Sequence, residues 1–269
     1  MSQPGRLVLI GHPVSHSLSP LFQNAALQDA GIPLTYEAID VLPDALDESL
    51  RVLAAVRGAG NVTLPHKEAV WAWCANRSPV ATRVGAVNTF WTEVGRLVGD
   101  NTDVGGFDAA IHRAFGAPAQ GLRVAVLGAG GGAAAVLAAV ERWPAASAVV
   151  ASRNRGRANA LAERFRRNTT VADSYEAAVR GCGLVVNATP IGLRDDSVPV
   201  DPALLEPDAM VFDLVYRRTS TPWVVRARAR GLPAEDGLRM LVEQGALAFQ
   251  RWFGVEPNRD VMWRAVQRA

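Results

Sequence analysis

The run Arg123-Val124-Ala125-Val126-Leu127 opens directly onto Gly128-Ala129-Gly130-Gly131-Gly132-Ala133, and an alanine-rich stretch continues to Arg142. An apolar run of that length reads as a buried strand, and the alanines after it as a helix. The Gly-x-Gly-x-x-Ala turn between them leaves few alternatives. Gly128 permits the tight turn, Gly130 lets backbone come close to a ligand, and Ala133 lets the helix pack on the strand. Such a unit starts a doubly wound parallel sheet. The free N–H groups and positive dipole end of its helix suit a pyrophosphate. A glycine-rich turn that binds nothing has the same letters, so the motif says more about fold than about ligand.

The rest of the chain repeats this alternation. Arg6–Ile10 reads as a strand, followed by a loop in which Ser19 caps a helix over Leu21–Ala30, with Pro20 at its first position. Thr35–Asp40 and Ala59–Val62 read as strands, and Asp44–Val56 and His66–Cys74 as helices. Thr89–Glu93 and Leu97–Gly99 form a hairpin around Gly95, and Asp103–Phe115 a helix. Ala148–Ser152, Leu184–Val186 and Met210–Phe212 are further strands, with a helix over Gly156–Arg166. Leu238–Phe253 and Arg259–Arg268 have helical period. Regular strand–helix alternation predicts parallel sheets with right-handed crossovers. The expected architecture is α/β. An N-terminal α/β domain covers 1–103, a Rossmann-type dinucleotide-binding domain 104–236, and helices over 237–269 pack back on the first domain. The ligand site is expected in the cleft between the two domains.

Bulk properties exclude several partners. A net charge of +2, with no Lys/Arg run and no interleaved aromatic stripe, gives no footprint for nucleic acid. No stretch is apolar enough to span a membrane, and the first residues do not read as a signal peptide, so a cytoplasmic enzyme is expected. Cys74 and Cys182 lie far apart and read as buried small apolar residues. His12 and His16 are four apart, but Pro13 prevents a helix there, so no metal site is expected. Whether the chain pairs as a homodimer stays open at this level.

Two clusters carry chemistry. Lys67, in Asn61-Val62-Thr63-Leu64-Pro65-His66-Lys67, stands at a strand–helix junction, and Asp103 ends Asn101-Thr102-Asp103. An ammonium and a carboxylate from separate segments form a candidate proton-transfer pair. Taken singly, Lys67 also fits an exposed helix lysine and Asp103 a helix cap. Ser15 and Ser17 share one loop and reach a common anion if it curls, although loop hydroxyls also bond their own backbone. Thr63 and Asn61 close the third strand at its carboxyl end, where open α/β sheets bind ligands, and Asn88-Thr89 adds further polar groups. The second cluster follows the Ala148–Ser152 strand. An NAD site places a carboxylate there; this chain has Ser152-Arg153-Asn154-Arg155-Gly156-Arg157 instead. Three arginines favour a 2′-phosphate and hence NADP, although a solvated helix start has the same letters.

These runs, together with Gly11-His12-Pro13-Val14-Ser15-His16-Ser17-Leu18-Ser19-Pro20, Gly85-Ala86-Val87-Asn88-Thr89, Asn187-Ala188-Thr189-Pro190-Ile191-Gly192, Asp213-Leu214-Val215-Tyr216 and Gly237-Leu238-Arg239-Met240-Leu241-Val242-Glu243-Gln244-Gly245, resemble the shikimate dehydrogenase family in order along almost the whole chain. The resemblance implies reversible, NADPH-dependent reduction of 3-dehydroshikimate to shikimate. It implies Lys67 and Asp103 as the catalytic pair, with Lys67 acid and base at the C3 oxygen. Ser15, Ser17 and Thr63 would hold the carboxylate, while Asn88, Asp103 and Gln244 bind ring hydroxyls and Tyr216 closes on the substrate. Gly128, Ala129, Gly130, Gly131 and Gly132 would hold the pyrophosphate, with Ser152, Arg153 and Arg157 around the adenosine phosphate. Leu214, Gly237 and Met240 would lie by the nicotinamide. Gln23 stands where the family commonly has His, and Ser152-Arg153-Asn154 where it has Asn-Arg-Thr. A relaxed quinate/shikimate dehydrogenase using NAD and a non-catalytic dinucleotide-binding regulator are the rival readings.

Overall fold

The computed structural model describes residues 3–267. The chain divides into two units, Met1–Gly106 with Leu241–Ala269, and Phe107–Met240.

The first unit contains strands β1 (Arg6–Gly11), β2 (Tyr36–Asp40), β3 (Gly58–Val62), β4 (Asn76–Arg77), β5 (Thr89–Glu93) and β6 (Arg96–Asp100). Its helices are α1 (Ser19–Asp29), α2 (Leu46–Ala55), α3 (Lys67–Trp73) and α4 (Pro79–Val84), with the start of α5 (Asp103–Phe115). The sheet order is β2-β1-β3-β5-β6-β4. Val8, Ile10, Leu50, Val62, Val70 and Phe90 share one core on its face. The expected parallel alternation holds for β1, β2 and β3, and the expected hairpin around Gly95 joins β5 to β6, so this sheet is mixed. β1 pairs in parallel with β2 and β3, but β5 is antiparallel to both β3 and β6. The cause is local: only Val94 and Gly95 join β5 to β6, both at positive φ (48° and 72°). Two residues at positive φ make a hairpin turn, and a parallel pair needs a crossover of a dozen residues or more.

The second unit contains β7 (Arg123–Leu127), β8 (Ser147–Ala151), β9 (Thr169–Val171), β10 (Leu184–Asn187), β11 (Met210–Asp213) and β12 (Ala234–Glu235). Between them run α6 (Gly131–Val140), α7 (Arg155–Arg164), α8 (Tyr175–Ala178) and α9 (Pro222–Ala229). The order β12-β11-β10-β7-β8-β9 is parallel throughout. This is the doubly wound sheet that the glycine turn predicts. Strand order reverses between β7 and β10, the switch point outside which such sheets bind ligands. Ala125, Leu127, Val149, Val185, Val211 and Trp223 fill one core layer.

Helices α10 (Leu238–Phe253) and α11 (Arg259–Gln267) complete the chain, and α11 packs on α1. Arg268, the expected end of that helix, lies outside the described residues. Ser19 does not cap α1. It is the first helical residue, and its own N–H donates to Ser17 Oγ at 3.2 Å. Several elements that periodicity misses (β4, β9, β12 and α8) are two to four residues long, too short to show a period. Among the described residues no helix is long and apolar enough to cross a membrane.

Gly60 shows how closely β1 and β3 approach. A Cβ built on it would stand 1.9 Å from the backbone oxygen of Val8. Gly60→Ala therefore forces a central strand pair apart. Overpacking of this kind costs about 2–3 kcal/mol, and the expected fall in Tm is roughly 4–12 °C. Thermal unfolding of the variant checks this, and an unchanged Tm would contradict the packing described.

Candidate active site

Three segment ends of the first unit meet at Lys67. It is the first residue of α3, placed there by His66, whose buried ring donates through Nε2 to the Val41 carbonyl at 2.7 Å. Lys67 Nζ reaches Asp103 Oδ2 at 2.6 Å, with side-chain exposures of 19% and 7%. The pair is thus shielded, but the ammonium keeps some access to solvent. Asp103 does not act as a helix cap with its side chain. Its second oxygen accepts from Asn88 Nδ2 at 2.8 Å, and its backbone N–H donates to Asn101 Oδ1.

Asn88 organises this cup. Thr102 N–H donates to its Oδ1 at 2.7 Å, which turns the NH2 group toward Asp103 Oδ1 and toward Gln244 Oε1 at 3.2 Å. Gln244 is fixed from its other side by donation to the Leu241 carbonyl. Asn61 is committed elsewhere, accepting from Tyr36 OH at 2.8 Å and donating to the Asn88 carbonyl at 3.2 Å. Lys67, Asp103, Asn88 and Gln244 thus converge. Thr63 lies at the carboxyl edge of β3 against Gly11, where an added Cβ would meet Thr63 Cγ2 at 2.3 Å. Ser15 and Ser17 bond locally: Ser15 Oγ to His16 Nδ1 at 3.1 Å, and Ser17 Oγ to the Ser19 N–H. Among the described residues no hydrogen bond ties either serine to the Asn88 group.

In the second unit the glycine turn follows β7. Gly128 sits at φ +121°, and a Cβ there would lie 2.6 Å from the Ala188 carbonyl oxygen. α6 begins at Gly131 behind Gly130, which offers no side-chain cap; a Cβ built on Gly130 would have nothing within 4 Å. Uncapped N–H groups beside open backbone fit a pyrophosphate. Gly132 faces Leu214, whose Cδ1 would lie 3.1 Å from an added Cβ, and a Cβ on Gly237 would meet the Leu214 carbonyl oxygen at 2.3 Å. Gly128, Gly132, Leu214 and Gly237 therefore gather around the ends of β7, β10 and β11. Met240 is buried three residues beyond Gly237, and Tyr216 is half-buried two beyond Leu214.

The arginine cluster behaves unevenly. Ser152 Oγ accepts from the Asn154 N–H, and Asn154 caps α7 by accepting from the Arg157 N–H at 3.0 Å. Arg153 and Arg157 have exposed side chains, while Arg155 is ion-paired with Asp173. Arg155 is therefore engaged by a carboxylate.

Sequence reasoning gives no role to a second polar group. Asn187 and Asp213, paired in register at the ends of β10 and β11, are both fully buried. Asp213 accepts from Asn187 Nδ2 at 2.8 Å, Val215 N–H at 3.0 Å and Thr221 Oγ1 at 2.7 Å. Burial pushes its carboxyl up to about 6, against the pull of those three donors. Burial also raises Asp236, which accepts from the Leu238 N–H. The available signal is a polar residue closing each of two apolar strand runs. Among the described residues no group of His, Cys, Asp or Glu is placed to hold a metal ion.

Family models match two segments of the chain, and whole-chain relatives cover the rest. Residues 9–90 match the family described as shikimate dehydrogenase substrate binding domain, and residues 237–267 that described as shikimate 5'-dehydrogenase C-terminal domain. The chain is 41% identical over 280 residues to a shikimate dehydrogenase (NADP(+)) of Symbiobacterium thermophilum, covering 99% of this chain and 95% of the relative. It is 43% identical over 260 residues to the protein of that name from Methylocella silvestris, covering 94% and 92%. Among solved structures, shikimate 5-dehydrogenase from Thermus thermophilus, in complex with NADP(H) and shikimate, is similar with a TM-score of 0.88. Identity is 41%, and 98% of each chain is covered.

Asp213 makes stability depend on pH. Its folded value of about 6 lies above the ordinary 3.8, so the folded state binds this proton more tightly than the unfolded chain. Its contribution is full below the unfolded value and is lost as pH rises through about 6. A rise of that size corresponds to roughly 3 kcal/mol. Relative to Asp213→Asn, the native protein should lose stability as pH rises from about 4 to 7, by an amount of that order. Urea unfolding of both proteins across that range tests the sign; a constant difference rejects it.

Proposed function

The chain belongs to the shikimate dehydrogenase family, and from that premise we propose that it catalyses the reversible NADPH-dependent reduction of 3-dehydroshikimate to shikimate, in the cytoplasm, as a step of aromatic amino-acid biosynthesis. The observation that carries this reading is the 2.6 Å pair of Lys67 and Asp103 inside a cup of neutral amides. A polyol carboxylic acid needs that mixture: donors for its carboxylate, amides for its alcohols, and one group that moves a proton.

The first unit is the substrate domain. Ser15, Ser17 and Thr63 receive the carboxylate, Asn88, Asp103 and Gln244 the ring hydroxyls, and Tyr216 is a further substrate contact. Lys67 is the acid and base. In reduction its ammonium gives a proton to the C3 oxygen as negative charge develops there. In oxidation the neutral amine takes that proton back. Asp103 holds the lysine by one oxygen while Asn88 holds the other, so the ammonium is oriented before the substrate arrives. When bound, NADPH supplies the hydride for the C3 carbon. Gly128, Ala129, Gly130, Gly131 and Gly132 would present backbone to its pyrophosphate, Ser152, Arg153 and Arg157 would hold its 2′-phosphate, and Leu214, Gly237 and Met240 would lie by its nicotinamide. The residues fit that cofactor because the turn is open at Gly130 and α6 starts without a side-chain cap.

Two measurements test the assignment. Wild-type protein with shikimate and NADP+ should produce NADPH, and Lys67→Ala should lower kcat by about 10²–10⁴ while shikimate affinity, measured at equilibrium, changes much less. Near-normal turnover in that variant rejects the role of Lys67. Arg153→Ala removes one charge-assisted bond of about 1.5 kcal/mol. The preference in kcat/KM for NADP+ over NAD+ should then fall about tenfold, and an unchanged ratio rejects the phosphate contact.

A further inference from the structure

We infer that Asp213 is a positioning residue for the cofactor: its buried carboxylate fixes the two loops that follow β10 and β11, and through them the seat of the dinucleotide. The inference rests on reading the second unit as the NADP-binding domain.

The geometry is that of a double anchor. Asn187 and Asp213 face each other across β10 and β11 at zero exposure. Asn187 holds the first loop: its Oδ1 accepts from Thr189 N–H at 3.0 Å and Thr189 Oγ1 at 2.7 Å, and its Nδ2 donates to the Ile191 carbonyl at 3.2 Å. Asp213 holds the second loop through Val215 N–H and Thr221 Oγ1. The bond between Asn187 Nδ2 and Asp213 joins the two anchors. A carboxylate only accepts, and with two oxygens it takes three convergent donors; no apolar residue would do so.

The backbone flanking these anchors is what the glycines approach. Ala188 follows Asn187, and its carbonyl is the atom that a Cβ on Gly128 would strike. Leu214 follows Asp213. Its N–H donates to the Asn187 carbonyl at 2.9 Å, its side chain faces Gly132, and its carbonyl lies against Gly237. A strand end that needed only packing would be served better by an apolar residue, since a buried carboxylate carries a desolvation cost. Asp213 acts through Leu214 and Ala188, without itself touching substrate or cofactor.

Calorimetric titration with NADP+, steady-state kinetics and thermal unfolding on Asp213→Ala, Asp213→Asn and Thr221→Val provide the test. Asp213→Ala should raise the NADP+ Kd and the KM for NADPH by about tenfold or more, with the KM for 3-dehydroshikimate nearly unchanged. Asp213→Asn keeps an acceptor for Asn187 and Val215 and offers an amide to the Thr221 hydroxyl, so it should recover affinity to within about threefold of wild type. Thr221→Val should fall between the two. In cofactor-free protein, amide exchange at Val215 should be faster in Asp213→Ala than in Asp213→Asn. A folded Asp213→Ala protein with unchanged NADP+ Kd overturns the inference. So does a loss spread equally over both substrates. If Asp213→Ala does not fold, Thr221→Val decides, and an unchanged NADP+ Kd there overturns it. Wild-type protein that binds no NADP+ removes the underlying reading and this inference with it.

Discussion

Asn88 has one carboxamide, and its orientation decides whether Lys67 and Asp103 form a working pair. The Thr102 N–H can only donate, so the Asn88 oxygen must face it and the NH2 must face away. That NH2 then meets Asp103 Oδ1 and Gln244 Oε1, which leaves the other Asp103 oxygen for Lys67. Thr102, in the turn between β6 and α5, thereby orders side chains from α3, α5 and α10, its backbone N–H donating to the Asn88 oxygen and its hydroxyl accepting from the NH2. Buried polar groups are costly unless satisfied, so such a network has few alternative arrangements. The cup is ordered by its own bonding, which is what a site needs if the proton donor is to be aimed in advance.

The two units solve one problem by the same means. Each places a buried Asn at the carboxyl end of a strand, Asn61 as the penultimate residue of β3 and Asn187 as the last of β10, just where the chain leaves the sheet. In the first unit Asn61 bridges Tyr36 and the Asn88 backbone, and in the second Asn187 bridges Asp213 and Thr189. Loops at the carboxyl ends of strands carry the ligand-facing groups, but loops are the most mobile parts of such folds. Tying them to an amide rooted in the sheet transfers the rigidity of the core to the loop.

Periodic features are legible in the sequence, and features set by tertiary hydrogen bonds are not. The strand, glycine turn and helix at 123–140 can be read from four apolar residues and the spacing of three small ones. The hairpin at Val94-Gly95 is legible too, yet its effect on the first sheet is not, because sheet direction is a property of pairing. Lys67 and Asp103 stand out by residue type and position, but the bonds from the Thr102 backbone N–H and hydroxyl to Asn88, which order them, depend on a residue 14 positions away and leave no local pattern. Asp213 carries no legible role of its own. Its work depends on Asn187 lying opposite in register, 26 positions away, and local patterning does not encode that pairing.

The cofactor end shows how much discrimination comes from omission. At the end of β8, where an NAD site holds the ribose hydroxyls with a carboxylate, this chain has the neutral Ser152. A carboxylate there would repel a 2′-phosphate; a serine does not. Positive charge adds to this less than the count of arginines suggests, because Asp173 engages Arg155. The Arg153 and Arg157 side chains are exposed, and charge attraction at exposed sites is weakened by solvent and salt. On the proposed reading of this segment as the phosphate end of the cofactor site, two effects of different physical kind favour NADP. The absent carboxylate acts at any ionic strength, whereas the arginine attraction fades as salt rises. The first sets the sign of the preference and the second its size.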